Sequence, residues 1–243
     1  MMGYTHTLSA AAVWVTAHEL GFLAPMDHGT LLVTTLACAG AGMFPDIDHK
    51  NGTIAHSIPP VSTVVSATVS AISGGHRKGT HSILGVVLFW VIAVAAQQLT
   101  HQGIPYASLF LAGYAGGLTL RMLGAPGGWI GAIGLGYLAW TTGSLAVLPL
   151  SIAVGATVHI VGDLLTTRGV NLVWPLVVKP VVASALWRKS GYMALPILGD
   201  AGSRREHALG VALALYLIWS VLALTGQTPT PLSYLSHLDP LTR

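Results

Sequence analysis

Gly79–Leu120 reads GTHSILGVVLFWVIAVAAQQLTHQGIPYASLFLAGYAGGLTL, which is 42 residues without an Asp, Glu, Lys or Arg. One charge later, Met122–Gly162 adds a further 41. A helix crosses a bilayer in about 20 apolar residues, so each run is long enough for two crossings joined by a turn. The whole chain agrees with this reading. Of its 243 residues 53% are hydrophobic and only 8% are charged, with a mean hydropathy of +0.68. A soluble domain carries roughly 25% charged residues. Too little charge is available here to clothe a water-facing surface, which excludes a soluble enzyme and a disordered chain. The single Cys38 excludes a secreted disulfide scaffold. A net charge of +3 is too small to call for a nucleic-acid partner. Met1–Ser9 carries no basic residue, so a cleaved signal peptide is not expected.

Working outward from that stretch, apolar runs bounded by Pro, Gly and polar residues predict seven spans within one membrane-embedded domain, 1–243. They are Thr7–Ala24, Gly29–Phe44, Ser82–Gln98, Tyr106–Leu123, Gly128–Leu148, Pro149–Leu165 and His207–Gly226. The expected fold is an all-α polytopic bundle. The spacings Gly113-Gly117 and Gly127-Gly131 suit close helix packing in lipid. With a cytoplasmic N-terminus, the inner segments collect Lys50, Arg77, Lys78, Arg121, Arg168, Lys179, Arg188, Lys189, Arg204 and Arg205. Only Arg243 falls outside, with the C-terminus, and such asymmetry orients spans at insertion. Ile58–Ser73 is apolar but rich in Ser and Thr, and both its ends are inner. A further crossing there would flip every later span and erase the asymmetry, so a re-entrant or interfacial helix is expected. The inner segment 166–205 holds Pro175, Pro180 and Pro196 and is expected along the headgroups.

Ionisable groups in such a chain are costly to bury unless paired or bound to metal. They gather at the same inner end. Phe44-Pro45-Asp46-Ile47-Asp48-His49 lies where the second span stops, and Pro45 predicts extended geometry before it, with the two carboxylates pointing alike. His76-Arg77-Lys78-Gly79-Thr80-His81-Ser82 opens the third, supplying imidazoles and two cations. His159 and Asp163 are i and i+4 on a predicted helix, close enough to chelate one ion. Gly202-Ser203-Arg204-Arg205-Glu206 precedes the last span, and His6 starts the first. Imidazole and carboxylate donors suit zinc or another hydrolytic divalent ion. The candidate ligands are His6, Asp46, Asp48, His49, His76, His81, His159, Asp163 and Glu206, enough for two or three ions.

At these residues the chain resembles a bacterial family, the membrane-bound metal-dependent hydrolases that include a LexA-regulated inner-membrane protein. The matching elements are Thr5-His6, Pro45-Asp46-Ile47-Asp48-His49 and Gly75-His76-Arg77-Lys78-Gly79-Thr80-His81-Ser82. His159-Ile160-Val161-Gly162-Asp163-Leu164-Leu165-Thr166, Gly169, Trp174-Pro175 and Gly202-Ser203 with Glu206 follow in the same order. Lys78 stands where a Gly is usual, and Tyr106–Leu148 looks like additional membrane helices. That family is distantly similar to the all-helical zinc-dependent phospholipase C and single-strand nuclease group, whose sites bind three zinc ions. The resemblance implies location in the bacterial inner membrane and metal-dependent hydrolysis, with phosphoester chemistry implied by the more distant similarity.

The expected function is therefore a metal-dependent hydrolase at the cytoplasmic membrane face. Zinc is the first choice of metal, with Mn and Mg as alternatives, and a phospholipid or lipid-linked phosphate is the substrate class suggested by the setting. Asp48 or Glu206 is expected to accept a proton, and Arg77 with Lys78 to hold a phosphate. Thr80, Ser82 and Thr166 are expected to orient ligands. Two rivals stand beside this reading. A proton-coupled transporter would use His18 and Glu19 near mid-bilayer. A metal-stabilised scaffold without turnover would use the same ligands as the enzyme. Asp27, His28, His101 and His237 fall on the outer side and are expected to be solvated.

Overall fold

The computed structural model describes residues 1–125, 128–228 and 230. Among these the regular structure is helical: α1 Gly3–Glu19, α2 His28–Ala41, α3 Val61–Ile72, α4 Ile83–Gln98, α5 Tyr106–Met122, α6 Gly128–Thr141, α7 Leu148–Leu164 and α8 Arg204–Leu224. Backbone pairing in extended geometry is confined, among the described residues, to isolated bridges such as Val170 with Met193. A helix forms on each of the seven apolar runs, with edges set by local chemistry. Asp27 caps α2 by accepting from the Thr30 amide at 3.0 Å, and Ser82 caps α4 by accepting from the Gly85 amide at 3.2 Å. Gly143, at φ 71°, ends α6 in the left-handed conformation that glycine adopts without strain. The predicted span Gly128–Leu148 is therefore shorter than expected; a 3-10 turn at Ser144–Ala146 leads into α7. Arg243, His237 and Gly127 lie outside the described residues.

Two helical stretches, His28–Asp48 and Arg204–Leu224, are long and apolar enough to cross a membrane. At about 1.5 Å per residue, the 17 residues of α5 or α7 extend roughly 25 Å. The outward faces are apolar: Val87 and Val91 on α4, Ile130 and Ile133 on α6, and Leu215 and Ile218 on α8 are all exposed. Water would not favour such a surface.

α2 occupies the middle, packed on α1, α5 and α7, while α8 leans on α1, α4 on α7 and α6 on α5. The interior is made of small residues, among them Ala37, Ala41, Ala93, Ala112 and Ala115, with Leu118, Leu148 and Ile152 between them. Small side chains let helix backbones approach closely. At Gly113 a Cβ would stand 2.7 Å from the Ala132 carbonyl oxygen, so α5 and α6 meet there with no room for a side chain.

α3 packs against the 3-10 turns Phe44–Asp48 and Ile54–His56, and its Ser66 hydroxyl donates to the Ile47 carbonyl at 2.6 Å. Val61, Val64 and Ile72 remain exposed. α3 thus sits at the end of the bundle where the Phe44–Asp48 turn lies. At that same end α2 and α7 stop and α1, α4 and α8 begin. The segment after α7 folds back over this end without helix or strand. Its Asn171 amide donates to the Arg77 carbonyl at 3.2 Å, and the Ile83 amide donates to the Leu172 carbonyl at 3.0 Å.

Candidate metal centre

Pro45 is the first difference between expectation and geometry at the site. The chain before it is not extended. Phe44–Asp48 is a 3-10 turn with Pro at its start, a position where a missing N–H costs nothing. This turn continues from the end of α2 and carries Asp46 and Asp48 over the bundle end. The turn Gly79–His81 brings in His81, and α7 presents His159 and Asp163 one helical turn apart.

Four donor atoms from these elements lie close together. The Nε2 atoms of His81 and His159 are 3.2 Å apart. His81 Nε2 is 3.4 Å from Asp46 Oδ1 and 3.6 Å from Asp163 Oδ2. His159 Nε2 is 3.6 Å from Asp46 Oδ1 and 3.8 Å from Asp163 Oδ2. Asp46 and Asp163 thus each close a triangle of donors with His81 and His159. Zinc bonds to nitrogen and carboxylate oxygen run about 2.0–2.2 Å, which places tetrahedral donors about 3.3–3.6 Å apart. Each triangle has separations close to what a zinc-sized ion takes from two imidazoles and a carboxylate.

The neighbouring groups fix which atom of each ligand faces inward. His159 Nδ1 donates to the Gly42 carbonyl at 2.5 Å, so a neutral His159 presents the Nε2 lone pair. Asp48 Oδ2 lies 3.3 Å from His81 Nδ1 and so backs that ring in the same way. Burial disfavours the His81 cation, but hydrogen bonds to Asp46 and Asp48 outweigh it and push its pKa up to about 9. Asp163 Oδ1 is taken up by Arg77 Nη2 at 3.0 Å, by His6 Nε2 at 3.3 Å and by the Met1 amino nitrogen, which leaves Oδ2 for the centre.

Two expected roles change as a result, and a third widens. Asp48, read as ligand and base, stays in a group that could hold an ion and also backs its neighbours: His76 Nδ1 donates to its Oδ1 at 2.8 Å and the Thr80 hydroxyl to its Oδ2 at 2.7 Å. Arg77, read as a phosphate holder, is buried and tied to Asp163, to the Thr166 hydroxyl at 3.1 Å and to the Gly169 carbonyl. Glu206, read as ligand or base, accepts the Met2 amide at 2.5 Å and the Gly202 amide at 2.7 Å, so it stitches the start of α1 to α8. Ser82 is an N-cap, whereas Thr80 and Thr166 do hold site residues, Asp48 and Arg77 respectively.

Asp46, Asp48, His76 and His81 form one group with donor atoms mutually within 4.8 Å, and His6, His159 and Asp163 form another. The His6 and His159 rings stack at 3.6 Å. His49 and Glu206 belong to neither group; the His49 ring instead meets the His76 ring edge-on at 4.6 Å. The site opens on one side only. Asp46 is 21% exposed and His76 29%, against 2% or less for His6, His81, His159 and Asp163. The Gly42 carbonyl and the Asn171 amide were not foreseen, because backbone groups leave no signature in the sequence.

Among known protein families, residues 1–227 match the YdjM inner membrane protein family. The chain belongs to that family. No curated protein and no solved structure matches it. Membership places this member of the YdjM family in an inner membrane, which accounts for the apolar outer faces of α4, α6 and α8. His18 and Glu19 close α1 rather than sitting at its middle, and Glu19 accepts from the Tyr216 hydroxyl at 3.4 Å.

Proposed function

We propose that this YdjM-family protein is a membrane-bound metal-dependent hydrolase with its metal centre at the cytoplasmic face. In this reading all seven apolar helices span, α3 lies at the interface, the N-terminus is cytoplasmic and the C-terminus is outside. The observation that carries the proposal is the set of donor separations from 3.2 to 3.8 Å linking His81, His159, Asp46 and Asp163. Zinc is the ion this donor set favours, with a second ion accommodated beside Asp48 and His76. When bound, the metal supplies an activated water and polarises a phosphoryl oxygen.

The chain's own groups do the rest. Arg77 holds Asp163 and Asp48 holds His81, so the donors are oriented in advance. Asp46, the most exposed of the four donors, would hold the ion on the side from which substrate can approach. There His76, with Nδ1 anchored on Asp48, is placed to take a proton at Nε2. The membrane setting and the cations Lys78, Lys179 and Lys189 at this end support a lipid or lipid-linked phosphoester as substrate. To test this, metal content and phosphodiesterase activity on lipid phosphoesters are measured for the purified wild type and for His159→Ala. Stoichiometric metal and activity lost together support the hydrolase. Metal without activity on any such substrate leaves a scaffold instead, and a metal-free wild type removes the proposal.

A further inference from the structure

A large apolar groove lies away from the metal centre. It runs over the seam of α5 and α6 beside Ser57–Pro59, holds about 740 Å³, and is lined by Phe110, Tyr114, Trp129, Ile133, Tyr137 and Trp140 among others. Phe110, Tyr114 and Trp129 stack in sequence, each centroid 5.8 Å from the next, and form a continuous aromatic wall. Gly113, Ala132 and Gly136 form its floor, where α5 and α6 meet.

Its polarity is one-sided. Ser57 and Tyr114, at the end nearer the metal centre, satisfy each other through hydroxyls 2.8 Å apart. No polar partner is thus demanded inside. Just beyond, Arg121 in the last turn of α5 is exposed and donates to the His56 carbonyl at 3.2 Å. The cavity therefore offers an apolar slot with a cation at its inner mouth. From Trp129 to Trp140 α6 rises about 16 Å, close to the roughly 15 Å of one leaflet's share of the hydrocarbon core.

We propose that this cavity binds one hydrocarbon chain of an anionic membrane phospholipid, with the lipid phosphate held at Arg121. The slot matches the chain in polarity and in length, and the guanidinium matches the headgroup in charge. Membership of an inner membrane family puts the ligand in reach. The inference does not depend on hydrolysis, since none of the metal-centre residues lines the cavity.

The test uses the full chain, delipidated in mild detergent and titrated with phosphatidylglycerol or phosphatidylcholine of equal chain length, bound lipid being counted by native mass spectrometry. Wild type should retain one phosphatidylglycerol with at least about tenfold preference. Ile133→Trp, at a side chain 78% exposed at the cavity wall, should weaken retention by a similar factor. Arg121→Gln should keep the lipid but bring the two headgroups near parity. Equal retention of both lipids by wild type, undiminished retention by Ile133→Trp, or a second copy of the chain in place of lipid would each overturn the proposal. Metal content measured on the same samples separates this outcome from that of the hydrolase reading.

Discussion

His81 is the residue on which protons and metal compete. Its pKa near 9 in the metal-free protein is above the ordinary histidine value, so its proton stabilises the metal-free fold fully below about pH 6.5. That contribution is lost as pH rises through about 9. A metal must displace the same proton, so its affinity should climb about tenfold per pH unit below pH 9 and then level off. Competition against a chelating dye across that range measures the slope, and a flat profile would remove His81 from the ligand set. Arg77 makes a second prediction at this scale. Its side chain is buried and bound to Asp163, so Arg77→Ala leaves that buried carboxylate with only the Met1 amino group and His6 beside its Oδ1. A loss of about 3 kcal/mol is expected by analogy with other broken buried pairs. Thermal unfolding in detergent reads it, and added metal should recover part of the loss.

Among the elements, α8 is held by a capping arrangement at its start. Ser203 accepts from the Glu206 amide at 3.2 Å while the Glu206 carboxylate accepts from Gly202. Ser203→Ala should lower stability by about 1 kcal/mol without changing metal content, measurable by unfolding and metal analysis on one preparation. Glu206→Gln should instead loosen the start of α1 through the lost Met2 contact. Much of this was legible in the sequence. Apolar runs bounded by Pro, Gly and polar residues located the seven helices other than α3, and the i, i+4 spacing of His159 and Asp163 placed both on one face. The rest was not legible for physical reasons. A proline licenses either an extended approach or the first residue of a 3-10 turn, and Phe44–Asp48 takes the turn, with the Ser66 hydroxyl of α3 on the Ile47 carbonyl. Arg77 looked free for substrate because sequence cannot show that the chain returns after α7 and sets Asp163 and Thr166 against it.

For the whole molecule, the donors fall at one end because α1, α4 and α8 start there and α2 and α7 finish there, the alternation that the proposed topology requires. Cys38 is buried and is the chain's single cysteine, so added cysteines report orientation cleanly. Cysteines placed at His56 and at His101 should react with an impermeant thiol reagent from the cytoplasmic and the outer side respectively. Labelling of both from one side would contradict the topology. That topology matters because it delivers ligands from positions 46 to 163 into a single pocket. X-ray absorption at the zinc edge on the purified, metal-reconstituted protein examines that pocket directly. A first shell of nitrogen and oxygen alone at about 2.0–2.1 Å, with imidazole outer-shell scattering that weakens in His159→Ala, is the expected result. Sulfur in the first shell, or a spectrum unchanged by that substitution, would contradict it.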